Sequence, residues 1–158
     1  MPHERPEPVI AVVGSLNIDL VAYTRRVPGP GETVIGDRFV MGFGGKGANQ
    51  AVMAARLGAR VSFVGCVGDD ALGAETVANL TANGVDTTGI RVVAETATGV
   101  APIWVDERGA NRILIAPGAN NALDATHVRS ALDALVRPPD VVVAQLETPQ
   151  SATAAAFA

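Results

Sequence analysis

Residues 44–68 read GGKGANQAVMAARLGARVSFVGCVG, and the reading of this stretch decides the fold. From Lys46 to about Leu57 it is rich in alanine, and Ala48, Ala51, Val52 and Ala55 fall on one helical face. Gly58 is a natural C-terminal stop. The run that follows, ARVSFVGCVG, is the continuous apolar pattern of a strand buried on both faces of a parallel sheet. Upstream, VIAVV (9–13) is a second such run, closed by Gly14. Between them lie IDLVAYT (18–24) and TVIGDRFV (33–40), β-prone segments around the turn-rich PGPGE (28–32). They read as antiparallel strands leaving the main sheet. Strand, excursion, helix and strand make a βαβ unit, whose crossover is expected to be right-handed.

Further along, DDALGAETVANLTANGV (69–85) reads as a helix with Asp69 or Asp70 as N-cap and Gly84 as its end. TTGIRVV (87–93) is strand-like. TGVAPIWV, DERG and ANRILIA (98–116) make a hairpin around a charged turn. LDATHVRSALDALV (123–136) is an amphipathic helix with Val128, Leu132 and Leu135 on one face, stopped by Pro138 and Pro139. DVVVAQLE (140–147) is a third buried strand. In TPQSATAAAFA (148–158), Thr148 suits an N-cap and Pro149 the first helical position. That helix carries no C-terminal stop signal, so the chain is expected to be the N-terminal part of a longer domain. There is no internal repeat, and the pattern is α/β with an antiparallel side sheet.

Composition narrows the function classes. With 48% apolar and 18% charged residues in 158, the chain suits a compact core and not a disordered tail. The net charge of −4 is spread along the chain without a basic stripe, which argues against nucleic acid as a partner. Cys66 lies in an apolar run and reads as a buried core thiol. His3 and His127 are far apart and lack companions at ligand spacing, so no metal site is expected. Residues 1–8, MPHERPEP, read as a short disordered leader without the order of a signal peptide. VIAVVGSLNI is too short to cross a bilayer, so no membrane partner and a cytoplasmic location are expected.

The glycine loop admits three readings. A phosphate-binding P-loop needs a hydroxyl residue after the lysine, but Gly47 follows Lys46. A dinucleotide fingerprint matches the letters GFGGKG (42–47), yet the match follows the side-sheet excursion and not the first strand. In the third reading the glycines let the backbone approach a ligand, and the amides of the next helix point into the site. Lys46 and Asn49 then face one space from the first turn, one a donor and the other both donor and acceptor. Those groups suit a polyhydroxylated ligand; a plain helix start with solvated side chains is the alternative.

A second cluster adds weight to the third reading. Asn17 and Asp19 follow the first strand and share a side if the segment is extended. Glu147 follows the last strand. Open α/β sheets bind ligands at such carboxyl ends. Asn17 as a turn residue, Asp19 as a surface charge and Glu147 as a helix-start carboxylate are the bland alternatives.

GSLNID (14–19), FGGKGANQA (43–51), TGVA (98–101), PGAN (117–120) and QLE (145–147) resemble the ribokinase-like, or PfkB, carbohydrate kinases. The family's first signature fits Gly44 through Gly68 without a mismatch, and the likeness runs from about residue 9 to the end. The resemblance implies an α/β sandwich over 9–158, with a parallel central sheet and a small antiparallel β lid from strands at about 18–42 and 97–117. It implies a homodimer through that lid. It assigns Asn17, Asp19, Gly44, Gly45, Lys46 and Asn49 to sugar hydroxyls, Glu147 to a contact from the sheet side, and Ala101 and Ile103 to the lid's inner face, with Pro102 pointing away.

The chemistry it implies is ATP-dependent phosphorylation of a sugar's terminal hydroxyl, with Mg²⁺ and K⁺. Ribose is favoured because GGKGANQA with NID looks most like the ribose-phosphorylating members; another pentose, fructose or a nucleoside stays open. The family's GAGD motif, with the catalytic aspartate, and its NxxE motif are not in this sequence, and PGAN ends in Asn120 and comes too early. No catalytic, nucleotide-binding or metal-binding residue is therefore assigned, and the chain alone is expected to be inactive. A non-catalytic module that binds sugar or dimerises through the lid is the alternative.

Overall fold

The computed structural model describes residues 7–158; the leader residues 1–6, and His3 with them, lie outside the described residues. The elements in chain order are β1 (Val9–Val13), β2 (Asn17–Tyr23), β3 (Arg38–Gly44), α1 (Lys46–Arg56), β4 (Arg60–Gly68), α2 (Ala71–Ala82), β5 (Val85–Val93), β6 (Gly99–Val105), β7 (Asn111–Ile113), a 3₁₀ turn (Gly118–Ala122), α3 (Ala125–Asp133), β8 (Val141–Ala144) and α4 (Gln150–Ala155). They form two four-stranded sheets, ordered β5-β4-β1-β8 and β3-β2-β6-β7.

The first sheet is parallel throughout. Its apolar runs divide by alternation between two layers of helices. Val12, Phe63 and Val67 pack with Ala48, Ala51 and Leu80 on the face covered by α1 and α2. Val13, Val64 and Cys66 pack with Val128, Ala152 and Ala155 on the face covered by α3 and α4. Burial on both sides is why β1 and β4 read as continuous apolar runs. Cys66 is a core thiol whose pKa burial raises.

The second sheet corrects one expectation: it is mixed, not antiparallel. β2 pairs antiparallel with β3 but parallel with β6, while β6 and β7 form a hairpin. β2 leaves the end of β1 and β6 leaves the end of β5. Both exit the same carboxyl edge of a parallel sheet in the same sense, so they meet side by side as parallel neighbours. β3 also begins later than expected, at Arg38, because residues 33–37 stay outside the ladder until the Asp37 N–H reaches the Tyr23 carbonyl at 2.8 Å.

Helix boundaries follow their caps. Asp70 caps α2 by accepting from the Gly73 N–H at 2.8 Å. α3 runs from the Asp124 cap only to Asp133, short of the two prolines, with Leu135 N–H reaching back to the Leu132 carbonyl in a tightened last turn. α4 begins at Gln150 after Pro149, one residue later than expected, and Thr148 Oγ1 is buried without a partner among the described residues.

Asp70 also accepts from Thr98 N–H at 2.8 Å and Thr98 Oγ1 at 2.6 Å, tying α2 to the start of β6. Burial opposes the charge on Asp70, but the Thr98 and Gly73 donors outweigh it and hold the carboxyl below its ordinary value. Its contribution is therefore present above the usual aspartate range and is lost as pH falls through the lowered value. Asp70→Ala orphans these donors and is expected to cost about 2 kcal/mol. A thermal melt should fall by roughly 6 °C; a fall under about 2 °C would show that water satisfies the donors equally well.

Candidate functional site

β1 has β4 on one side and β8 on the other, so strand order reverses at β1. Such a switch point opens a crevice at the carboxyl ends of its strands. Three segments enter it: Gly14–Asn17 from β1, Gly45–Lys46 at the start of α1, and Gln145–Glu147 from β8.

Glu147 joins them. Its Oε2 accepts from Ser15 Oγ at 2.7 Å and from Lys46 N–H at 3.0 Å, and its Oε1 is ion-paired with Lys46 Nζ. Ser15 Oγ accepts in turn from Gly47 N–H at 3.3 Å, and the Ser15 carbonyl from Ala48 N–H at 3.1 Å. These bonds correct one expectation. The first amides of α1 do not point at a ligand but are engaged by Ser15 and Glu147. A phosphate-binding loop needs those amides and that lysine free for the anion, and here a carboxylate already occupies them. The P-loop and dinucleotide readings fall on that geometry.

Beside this knot is a cleft of about 160 Å³. Its polar side is formed by Asn17, Asp19, Lys46, Asn49 and Glu147, with Gly45 also in the lining. Ala101 and Ile103 of β6 line it, together with Ile113 and Ile115, which had not been singled out from the sequence. The register explains the selection. Asp19 pairs with Ala101 and Ile103 with Ile113, so they share one side of the second sheet, and Pro102 falls on the other. Gly44 is beside the cleft without lining it; a Cβ there would collide with the Asp19 carboxylate, so its bareness gives Asp19 room. Larger clefts lie by the β2–β3 loop, at the opposite edge of the parallel sheet and beside α1, and none of these three is lined by the carboxyl ends of the parallel strands.

The two carboxylates are set apart electrostatically. Burial, and then repulsion from Glu147, pushes the Asp19 carboxyl above its ordinary value. Burial would raise Glu147 too, but its bonds to Lys46 and Ser15 prevail and hold it below the ordinary glutamate range. Glu147 is therefore an ionised anchor. Among the described residues, Asp19 makes no side-chain hydrogen bond, which leaves an acceptor facing the cleft. No group of three or more His, Cys, Asp or Glu among the described residues could hold a metal ion.

Residues 8–156 match the model of the pfkB family carbohydrate kinases. The chain belongs to this family. Among PfkB relatives it is similar to a ribokinase from Schizosaccharomyces pombe (44% identical, covering 90% of this chain and 46% of the relative). A deoxyribokinase from Salmonella typhi is as similar, at 44% over 87% of this chain and 45% of that one. Its fold matches a ribokinase from Arabidopsis thaliana complexed with ribose and ATP, with a TM-score of 0.77 and 31% identity over 96% of this chain and 50% of that one. The chain thus spans about half the length of the curated relatives it matches. The α/β sandwich expected from the sequence is the PfkB fold, and no helix among the described residues is long and apolar enough to cross a membrane.

Proposed function

We propose that this chain supplies the sugar-binding half of an ATP-dependent kinase that phosphorylates a pentose, with ribose the favoured substrate. The observation that carries the reading is the small cleft in which donors from Asn17, Lys46 and Asn49 and the acceptor Asp19 face an apolar wall. Hydroxyl groups need donors and acceptors side by side, and the C–H face of a sugar needs an apolar surface. Asp19 accepts from hydroxyls, Lys46 and Asn49 donate, Ala101, Ile103, Ile113 and Ile115 cover the ring, and Glu147 holds Lys46 and the loop in place. Gly44 and Gly45 let the backbone come close.

ATP as phosphoryl donor is supported by the ATP complex of the similar ribokinase. Mg²⁺ and K⁺ are expected for the family, but no group of three or more His, Cys, Asp or Glu among this chain's described residues could hold a metal ion, and no step is assigned to either ion here. No residue of the chain is assigned as catalytic base; absence of that base typically slows such reactions ~10²- to 10⁴-fold. With ATP, Mg²⁺, K⁺ and ribose, the 158 residues alone are expected to give no turnover at ordinary kinase rates. The second sheet is read as the lid. Phe39, Met41, Phe43 and Leu114 expose an apolar face on its side away from the cleft, which supports a homodimer formed through it. A cytoplasmic location, and no nucleic-acid or membrane partner, complete the reading.

Calorimetry tests the assignment. Ribose should bind, and more tightly than 2-deoxyribose or fructose; equal or tighter binding of 2-deoxyribose would move the substrate to the deoxy sugar, as in the Salmonella relative. The pH dependence is specific. Asp19 accepts from hydroxyls most strongly when ionised, and burial first and then repulsion from Glu147 raise its pKa. Ribose affinity should therefore weaken on acidification through a value above the ordinary aspartate range. Asp19→Asn should remove that limb; an unchanged limb would show that another group titrates.

A further inference from the structure

We infer that Asn120 is a positioning residue that holds the amide of Asn17 with its NH₂ group towards the cleft, an inference that rests on the sugar-site reading above. Asn120 lies on the 3₁₀ turn that follows β7 and is 1% exposed. Its orientation is decided by a group that has no ambiguity. The backbone N–H of Leu16 can only donate, and it donates to Asn120 Oδ1 at 2.9 Å. The other end of the side chain is therefore Nδ2. Its two protons are shared among the carbonyls of Leu16 at 2.9 Å and Pro117 at 3.0 Å and the side chain of Asn17 at 2.9 Å.

Since Nδ2 can only donate, the Asn17 atom facing it is Oδ1. One backbone amide thus sets the sense of two side-chain amides in series. Asn17 is 3% exposed and lines the cleft, and among the described residues its own Nδ2 has no hydrogen-bond partner. The cleft consequently meets the donor end of Asn17, two residues from the acceptor Asp19. Gly99 completes the arrangement, because a Cβ there would collide with both Asn17 Oδ1 and Asn120 Nδ2. The ligand group this suits is a hydroxyl accepting from Asn17 while a neighbouring hydroxyl donates to Asp19. The alternative sense would place two acceptors side by side.

The experiment is a ligand-by-mutant cycle on the full chain. Dissociation constants of ribose and each of its monodeoxy analogues are measured for the wild type, Asn17→Ala and Asn120→Ala. In the wild type, removing the hydroxyl that Asn17 serves should weaken binding on the order of five-fold. That one penalty should vanish in Asn17→Ala and equally in Asn120→Ala, while the penalties for the other hydroxyls persist. If Asn120→Ala weakens every ligand by one common factor and keeps all ratios, Asn120 is only structural and the inference is overturned. Side-chain amide NMR of the wild type covers the case in which Asn120→Ala does not fold. The Asn120 NH₂ protons should exchange slowly without ligand, and the Asn17 NH₂ resonances should shift on adding ribose. Fast exchange at Asn120 overturns the inference whatever the ligand does. Failure of the wild type to bind ribose, with Asn120 protected, instead overturns the sugar-site reading and this inference with it.

Discussion

Gly45→Ala is expected to abolish ribose binding and to lower stability by about 3 kcal/mol, roughly 10 °C in a thermal melt. Gly45 precedes α1 with φ +89°, a conformation that L side chains rarely adopt. Its surroundings make matters worse. A Cβ would lie 2.7 Å from the Ser15 carbonyl oxygen and 2.9 Å from Asn17 N. Both are backbone atoms and cannot swing aside, so α1 or the β1–β2 connection must move. Either shift breaks the contact between the first amides of α1 and Ser15, and displaces Asn17 from the cleft. Gly58→Ala is the matched control, because Gly58 has φ +92° but nothing within 4 Å of the added carbon. It should cost about 1 kcal/mol and leave ribose binding unchanged. If the two variants lose the same stability and Gly45→Ala still binds ribose, crowding at the loop has no part in building the site.

The same loop shows what the sequence carried and what it did not. The α1–β4 unit was legible because its two periodicities are local: small residues on one helical face, then an apolar run with a glycine between them. Asn17, Asp19, Lys46, Asn49 and Glu147 could be brought together because parallel strands present their carboxyl ends at one edge, whatever their order. Pairing across the second sheet is not local. The parallel contact of β2 with β6 joins residues about 80 positions apart, and only that register brings Ile113 and Ile115 to the cleft. The alternation in NRILIA was visible, but alternation alone does not say which face is the inner one. Ser15 and Asn120 were hidden for another reason. A serine after a strand and an asparagine in a turn are commonplace by type, and their roles come from the partners the fold supplies 132 and 103 residues away.

Glu147→Gln is expected to weaken ribose binding by about 2 kcal/mol, roughly 30-fold. The substitution keeps shape and volume, so what it removes is charge. A glutamine oxygen can still accept from Ser15 Oγ and Lys46 N–H, but its NH₂ then faces the Lys46 ammonium, donor against donor. Lys46, two-thirds exposed in its side chain, is then free to turn into solvent, and the cleft loses a fixed donor. The variant also has a second consequence with a definite sign. Glu147 is one of the two causes that raise the Asp19 pKa, the smaller after burial. Removing its charge should move the acid limb of ribose binding towards lower pH, while the remaining burial keeps it above the ordinary aspartate value. Affinity measured against pH for the wild type and Glu147→Gln separates the two effects: the plateau gives the lost donor, and the displacement of the limb gives the lost repulsion. A weaker plateau with an unmoved limb would mean that Asp19 and Glu147 do not face one another across the site, and the convergence of the two strand ends on one ligand would fall with it.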